Sequence, residues 1–135
     1  MMLVIFLTAS CAHFSNKDQA KEKAKLYLQM AVDQLSGREF AKAIDSTHEA
    51  LKFDPSMAAG YNHLALIYME TKRYQKSEEA FRKALELQPD YPEVFNNLGV
   101  LMNRLERYKE AITCFEKALT NERYLTPENA LTNMG

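Results

Sequence analysis

The chain has little of what breaks a backbone or staples it. Four glycines and four prolines in 135 residues are too few for the many turns of a β-rich fold, and they favour long helices. The two cysteines, Cys11 and Cys114, sit in such different surroundings that no disulfide framework is implied. No block of like charge occurs, because 17 Lys and Arg are interspersed with 18 Asp and Glu for a formal net charge of −1. Such a surface excludes nucleic acid as the main partner. Chemistry is equally scarce: there is no Gly-rich phosphate loop, no nucleophile elbow and no pair of catalytic acids. His13, His48 and His63 lack companions at ligand spacing, so no metal set is expected. His48 and His63 read as surface or packing residues, and Cys114 as a small apolar residue in a packed helix. Nothing asks for a cofactor, and an enzyme is not expected. The apolar run Leu3-Val4-Ile5-Phe6-Leu7 is far shorter than the roughly 20 residues a spanning helix needs.

What is present is apolar content and a period. Apolar residues make up 47% of the chain, which excludes disorder and suits one compact domain or a short solenoid. Shifted by 34 residues, the chain lies on itself. Ala50-Leu51, Ala84-Leu85 and Ala118-Leu119 fall at one phase. Arg38-Glu39-Phe40, Lys72-Arg73-Tyr74 and Glu106-Arg107-Tyr108 fall at another, each opening a second helix. Phe53-Asp54-Pro55 and Leu87-Gln88-Pro89 close their units, since proline cannot continue a helix. Seven helices are expected near 18–36, 39–53, 57–70, 74–87, 91–104, 108–121 and from 127 onward.

These residues resemble the tetratricopeptide repeat, which sets an aromatic, Leu-Gly or Leu-Ala and a Tyr in its first helix. A small residue, an aromatic, Ala and a terminal Pro follow in its second. The middle unit carries Tyr61, Leu64, Ala65, Tyr68, Phe81, Ala84 and Pro89, with Ser77 where Ala is usual. The third carries Phe95, Leu98, Gly99, Ala111, Phe115 and Ala118, with Met102 for Tyr and Arg123 for Pro. The first carries Tyr27, Met30, Ala31, Ala43, Ala50 and Pro55, and departs at Gln34 and Thr47. The resemblance implies an all-α, right-handed solenoid of antiparallel helix pairs, because one pair cannot bury its apolar face alone. Repeats are expected at 18–56, 57–90 and 91–125. Asn133-Met134-Gly135 returns to Asn97-Leu98-Gly99 after 36 residues, so 126–135 is read as the start of a fourth repeat, and the chain as an N-terminal piece of something longer.

By the family register, function lies on a concave groove lined by first helices. Its positions are Lys25, Leu28, Val32, Leu35 and Ser36 in the first unit, then Ala59, Asn62, Leu66, Met69 and Glu70. Glu93, Asn96, Val100, Asn103 and Arg104 follow in the third. Leu28 and Val32 stand where grooves that clamp acidic C-terminal tails carry Lys and Asn. The groove is therefore expected to take an extended or helical apolar peptide, with Asn62, Asn96 and Asn103 fixing its backbone. An alternative use of Leu28, Val32 and Leu35 is to cover a capping N-terminal segment.

The N-terminus is read separately. Residues 1–10 are similar to a signal-peptide end, and Thr8-Ala9-Ser10-Cys11 resembles a lipobox, where the cysteine thiol takes a diacylglycerol. By that resemblance residues 11–17 would be the lipidated cysteine and its tether, and a residue other than Asp at Ala12 would imply the outer membrane, as in the sorting rule of many Gram-negative lipoproteins. The other readings are an ordinary secretory signal or an apolar N-terminus with a buried cysteine. A lipobox-like cysteine, a tether and tandem repeats resemble the type IV pilus biogenesis and stability lipoproteins, or pilotins. The spacer and repeat start across Tyr124 to Gly135 are similar to that family's third-to-fourth repeat junction. The resemblance implies a lipid anchor at Cys11, a periplasmic-facing outer-membrane location and a secretin as the protein partner in the groove. Two alternatives stand beside it: a periplasmic adaptor lipoprotein recruiting cell-wall enzymes, and the repeat arm of an enzyme whose catalytic domain lies beyond Gly135.

Overall fold

The computed structural model describes residues 15–120. Within them the chain forms six helices and no strand: α1 Asn16–Ser36, α2 Phe40–Phe53, α3 Ala58–Glu70, α4 Tyr74–Leu87, α5 Pro92–Arg104 and α6 Tyr108–Leu119. Residues 16 and 17, expected in the tether, belong instead to the first turn of α1. Ser15 caps that turn: its Oγ accepts from the Asp18 backbone N–H at 3.2 Å, and the Asp18 carboxylate accepts from Ser15 N–H at 3.3 Å. This reciprocal capping box satisfies two donors that a helix start leaves open. Asp18 is held below the usual carboxylate range chiefly by its side-chain bond with Ser15. Pro92 opens α5, where its missing N–H costs nothing. The expected seventh helix falls outside the described residues.

The three turns joining first to second helices share one geometry. Arg38, Lys72 and Glu106, spaced at the repeat period, all adopt φ of 59°. At each, two backbone bonds close the preceding helix. The Lys72 N–H donates to Met69 C=O at 3.1 Å and the Arg73 N–H to Tyr68 C=O at 2.8 Å. Arg38 with Glu39 and Glu106 with Arg107 repeat the pattern. This is a Schellman closure, built three times on non-glycine residues at a conformation that glycine favours. Gly37 sits one place earlier, at an ordinary negative φ.

Helices pair as α1 with α2, α3 with α4 and α5 with α6, and α2–α3 and α4–α5 contacts stack the pairs. First helices also meet along one side, α1 against α3 and α3 against α5. Ala43, Ala50, Ala84, Ala111 and Ala118 are fully buried, so the second helices approach their partners through small side chains. Phe81 and Phe115 fill the space between, both fully buried; each such side chain contributes roughly 1.5–3 kcal/mol. A Cβ on Gly99 would lie 2.4 Å from Phe115 Cε1, too close for the ring to keep its place. Departures from the repeat pattern have local reasons. Ser77 Oγ donates to the Ala65 carbonyl at 2.7 Å, tying α4 to α3. Thr47, in the aromatic position, is fully buried and donates to Ala43 C=O at 2.7 Å. Met102 fills the core at 1% exposure.

Candidate peptide-binding face

The side along which α1, α3 and α5 meet carries the residues expected to line a groove. On α1, Val32 is 40% exposed, Leu28 and Leu35 are half-buried, and Lys25 and Ser36 lie at the edge. Ser36 Oγ is turned onto the helix, donating to Val32 C=O at 3.0 Å. On α3, Leu66 and Ala59 are half-buried, whereas Met69 is only 6% exposed and belongs to the core. Met69 thus braces the face from beneath. On α5, Asn96, Val100 and Asn103 are half-buried; Leu66 and Val100 rest on the core cluster. The result is an apolar strip of Leu28, Val32, Leu35, Leu66 and Val100 running across three helices.

Polar bonds set those helices at their spacing. Asn97 Nδ2 donates to Asn62 Oδ1 at 3.3 Å across α5 and α3. Asn62 also shares a side-chain hydrogen bond with Tyr91, whose hydroxyl is pushed up by burial and by Glu93 while the Asn62 bond opposes them. Asn62 is therefore engaged in the seam between repeats, as well as bordering the face. Arg104 and Glu70, 34 positions apart, form an ion pair at 3.5 Å on the same side. One repeat earlier, His63 takes the seam position. It is 7% exposed, and burial lowers its pKa against the opposing effect of a hydrogen bond to the Ala31 backbone. Its Nε2 and the Oε1 of Gln34 are buried without a hydrogen-bond partner.

Sequence reasoning did not assign this seam role to His63 and Asn97. The available signal was a polar residue directly before the core leucine in successive repeats, His63-Leu64 and Asn97-Leu98. A second seam lies among the second helices: Arg107 donates to Glu78 at 2.6 Å and to Glu110 at 2.6 Å. Burial works to raise the Glu78 pKa, but bonds from Arg107 and Arg82 outweigh it and hold the carboxyl low.

Among the described residues, no three His, Cys, Asp or Glu side chains gather as a metal site. Cys114 is half-buried on α6, and burial pushes its thiol up. No helix in this part is long and apolar enough to cross a membrane. Cys11, the signal-like segment and residues 126–135 fall outside the described residues.

Comparison with solved structures places these helices among known ones. PilW, described as a widely conserved type IV pilus biogenesis factor, is 36% identical with a TM-score of 0.78, over 82% of this chain and 51% of that one. PilF of Pseudomonas aeruginosa is 25% identical with a TM-score of 0.81, over 89% of this chain and 53% of that one. The chain thus spans about half the length of these two proteins. The TPR domain of Arabidopsis OM64 shares the fold at 24% identity and a TM-score of 0.75, over 85% of this chain and 96% of that one. Comparison with curated proteins finds no match. The tetratricopeptide-repeat profile matches residues 56–123, the span that holds α3 to α6, their Schellman turns and the seam from Asn62 to Asn97. By its repeats, its helix pairing and this match, the chain belongs to the tetratricopeptide repeat family.

Proposed function

We propose that this protein is a scaffold of type IV pilus biogenesis, anchored to the outer membrane through Cys11 and holding a partner polypeptide, the pilus secretin, on its first-helix face. The observation that carries the reading is the strip of Leu28, Val32, Leu35, Leu66 and Val100 on helices 36% identical, with those around them, to a type IV pilus biogenesis factor. An apolar strip on a rigid stack of first helices suits an extended or helical segment with apolar anchors, while polar neighbours set its register. Asn62, Asn96 and Asn103 border the strip, and the Glu70–Arg104 pair closes its polar edge. Lipidation at Cys11 would hold that face at the periplasmic surface of the membrane, where a channel subunit needs an escort.

The deciding experiment expresses the chain in a Gram-negative host with a palmitate analogue and compares wild type with Cys11→Ser. The proposal expects label on wild type, none on the variant, and secretin multimers lost when the variant replaces wild type. Absence of label on wild type would remove the anchor. Co-purification of the secretin with wild type but not with Val32→Asp tests the face separately.

A further inference from the structure

A second concavity lies away from the first-helix strip, between α4 and α6 with α5 as its floor. It encloses about 510 Å³, within the range of ligand clefts. Phe95, Leu98 and Met102 form the floor, Leu85 and Pro89 one wall, Thr113 and Cys114 the other. Arg82, Lys109 and Lys117 stand on the rim with a single carboxylate, Glu110. That carboxylate is clasped by Arg107, and Arg82 by Glu78. Lys109 and Lys117 form no ion pair among the described residues; the Lys117 ammonium lies 5.4 Å from the centre of the Phe95 ring. The rim is thus cationic over an apolar floor.

The cleft has a smaller copy one repeat earlier. A depression of about 310 Å³ is lined by Tyr61, Leu64, Tyr68, Lys76, Glu79, Ala80 and Lys83. Each of these has its counterpart 34 residues on in the larger cleft, Tyr61 matching Phe95, Tyr68 matching Met102 and Lys83 matching Lys117. Lys76 caps the Tyr68 ring at 5.8 Å, as Lys117 caps Phe95. A small ligand would need one such cleft. A pair in register along the stack matches a chain that presents apolar side chains at intervals, with carboxylates between them to meet the lysines.

We infer that the clefts behind α5 and α3 dock an acidic polypeptide segment, in extended form, through apolar anchor side chains. The larger cleft takes the principal anchor, with Lys109 and Lys117 pairing with the flanking carboxylates. This site is distinct from the first-helix strip and holds whether or not that strip binds a secretin.

The test uses the full chain carrying Cys11→Ser, which leaves Cys114 as its one thiol. The probe is a fluorescein-labelled peptide in which Glu residues flank Phe and Leu anchors. Two control peptides replace Glu by Lys, or the anchors by Ser. Anisotropy measures binding, and the rate of Cys114 modification by a thiol reagent reports occupancy of the larger cleft. Saturable binding of the acidic anchored peptide alone is expected, with Cys114 protected. Lys109→Glu with Lys117→Glu should weaken binding by roughly tenfold or more; circular dichroism checks that both variants fold. The proposal is overturned if neither acidic nor control peptides bind. It is equally overturned if Val32→Asp rather than the lysine reversals abolishes binding, because the peptide then sits on the first-helix face. A Cys114 already shielded without peptide, and no further protected by it, would overturn the proposal too, since the cleft is then filled from within the chain. Protection of Cys114 by laurate, with no peptide binding, would likewise overturn the proposal and assign the cleft to small amphipathic anions.

Discussion

Asn97 stands where His63 stands one repeat earlier, and each side chain bonds back to the preceding first helix, Asn97 to Asn62 at 3.3 Å and His63 to the Ala31 backbone. The two residues close the same seam by different chemistry, and only one of them titrates. Burial lowers the pKa of His63 below its ordinary value, so the folded protein binds that proton less readily than the unfolded chain. Stability from neutral His63 is complete above the unfolded value of about 6.5 and is lost as pH falls from there toward the lowered folded value. Melting temperatures from pH 8 to pH 5 should fall more steeply for wild type than for His63→Asn. Parallel curves would exclude His63 as the source.

Gly99→Ala should destabilise the third repeat. The added Cβ would sit 2.4 Å from Phe115 Cε1 and 2.7 Å from its Cδ1, and overpacking of this kind costs about 1–3 kcal/mol. Urea unfolding of Gly99→Ala, Phe115→Leu and the double variant measures the coupling. A smaller ring-free partner relieves the clash, so the two effects should fall short of additive. Full additivity would show that the backbone, not the ring, resists the methyl group.

Glu106→Gly should raise stability slightly, and Glu106→Val should lower it. Glu106 holds φ at 59° in a Schellman turn, where a non-glycine residue costs about 1–2 kcal/mol. Glycine removes that cost but brings about 0.5–1 kcal/mol of added chain entropy. Thermal melts of the two variants should therefore bracket wild type. A loss of stability in Glu106→Gly would mean that the Glu106 side chain makes contacts worth more than the backbone relief.

Glu78 should stabilise the fold on the alkaline side of its own titration. Its side chain is 19% exposed and meets Arg107 at 2.6 Å, and its carboxyl is held low despite burial. The stability it brings is present above the unfolded carboxyl value of about 4.3 and is lost as pH falls through the lowered folded value. A double-mutant cycle of Glu78→Gln and Arg107→Gln at neutral pH should give a favourable coupling, shrinking in acid. A coupling that persists unchanged at low pH would point to packing instead of charge.

Much of the fold was legible because the repeat forces the same residue type into the same environment. Phe81 with Phe115, and Ala84 with Ala118, recur because each pair of helices must close on the same neighbour. The departures were legible only as departures. Nothing in the letters told that Ser77 reaches the Ala65 carbonyl, or that Thr47 satisfies itself on Ala43. A buried hydroxyl needs a partner, and finding one depends on the distance between helices. The groove positions came from register, and register assigned Met69 to the face where packing buries it. The left-handed residue of the first turn falls on Arg38 and not on the neighbouring Gly37, since hydrogen-bond closure selects the position.

The 34-residue period by itself determined the helix count within residues 15–120, the pairing of helices and the recurring aromatic and alanine positions of the core. Those follow from local propensity and from which side chains must leave water, both written along the chain. Only the tertiary structure decided which polar residues hold the seams, and that a cationic cleft opens behind α5. Both depend on gaps and contacts between helices distant in sequence, and angstrom-scale spacing across a stack is a property of the packed whole.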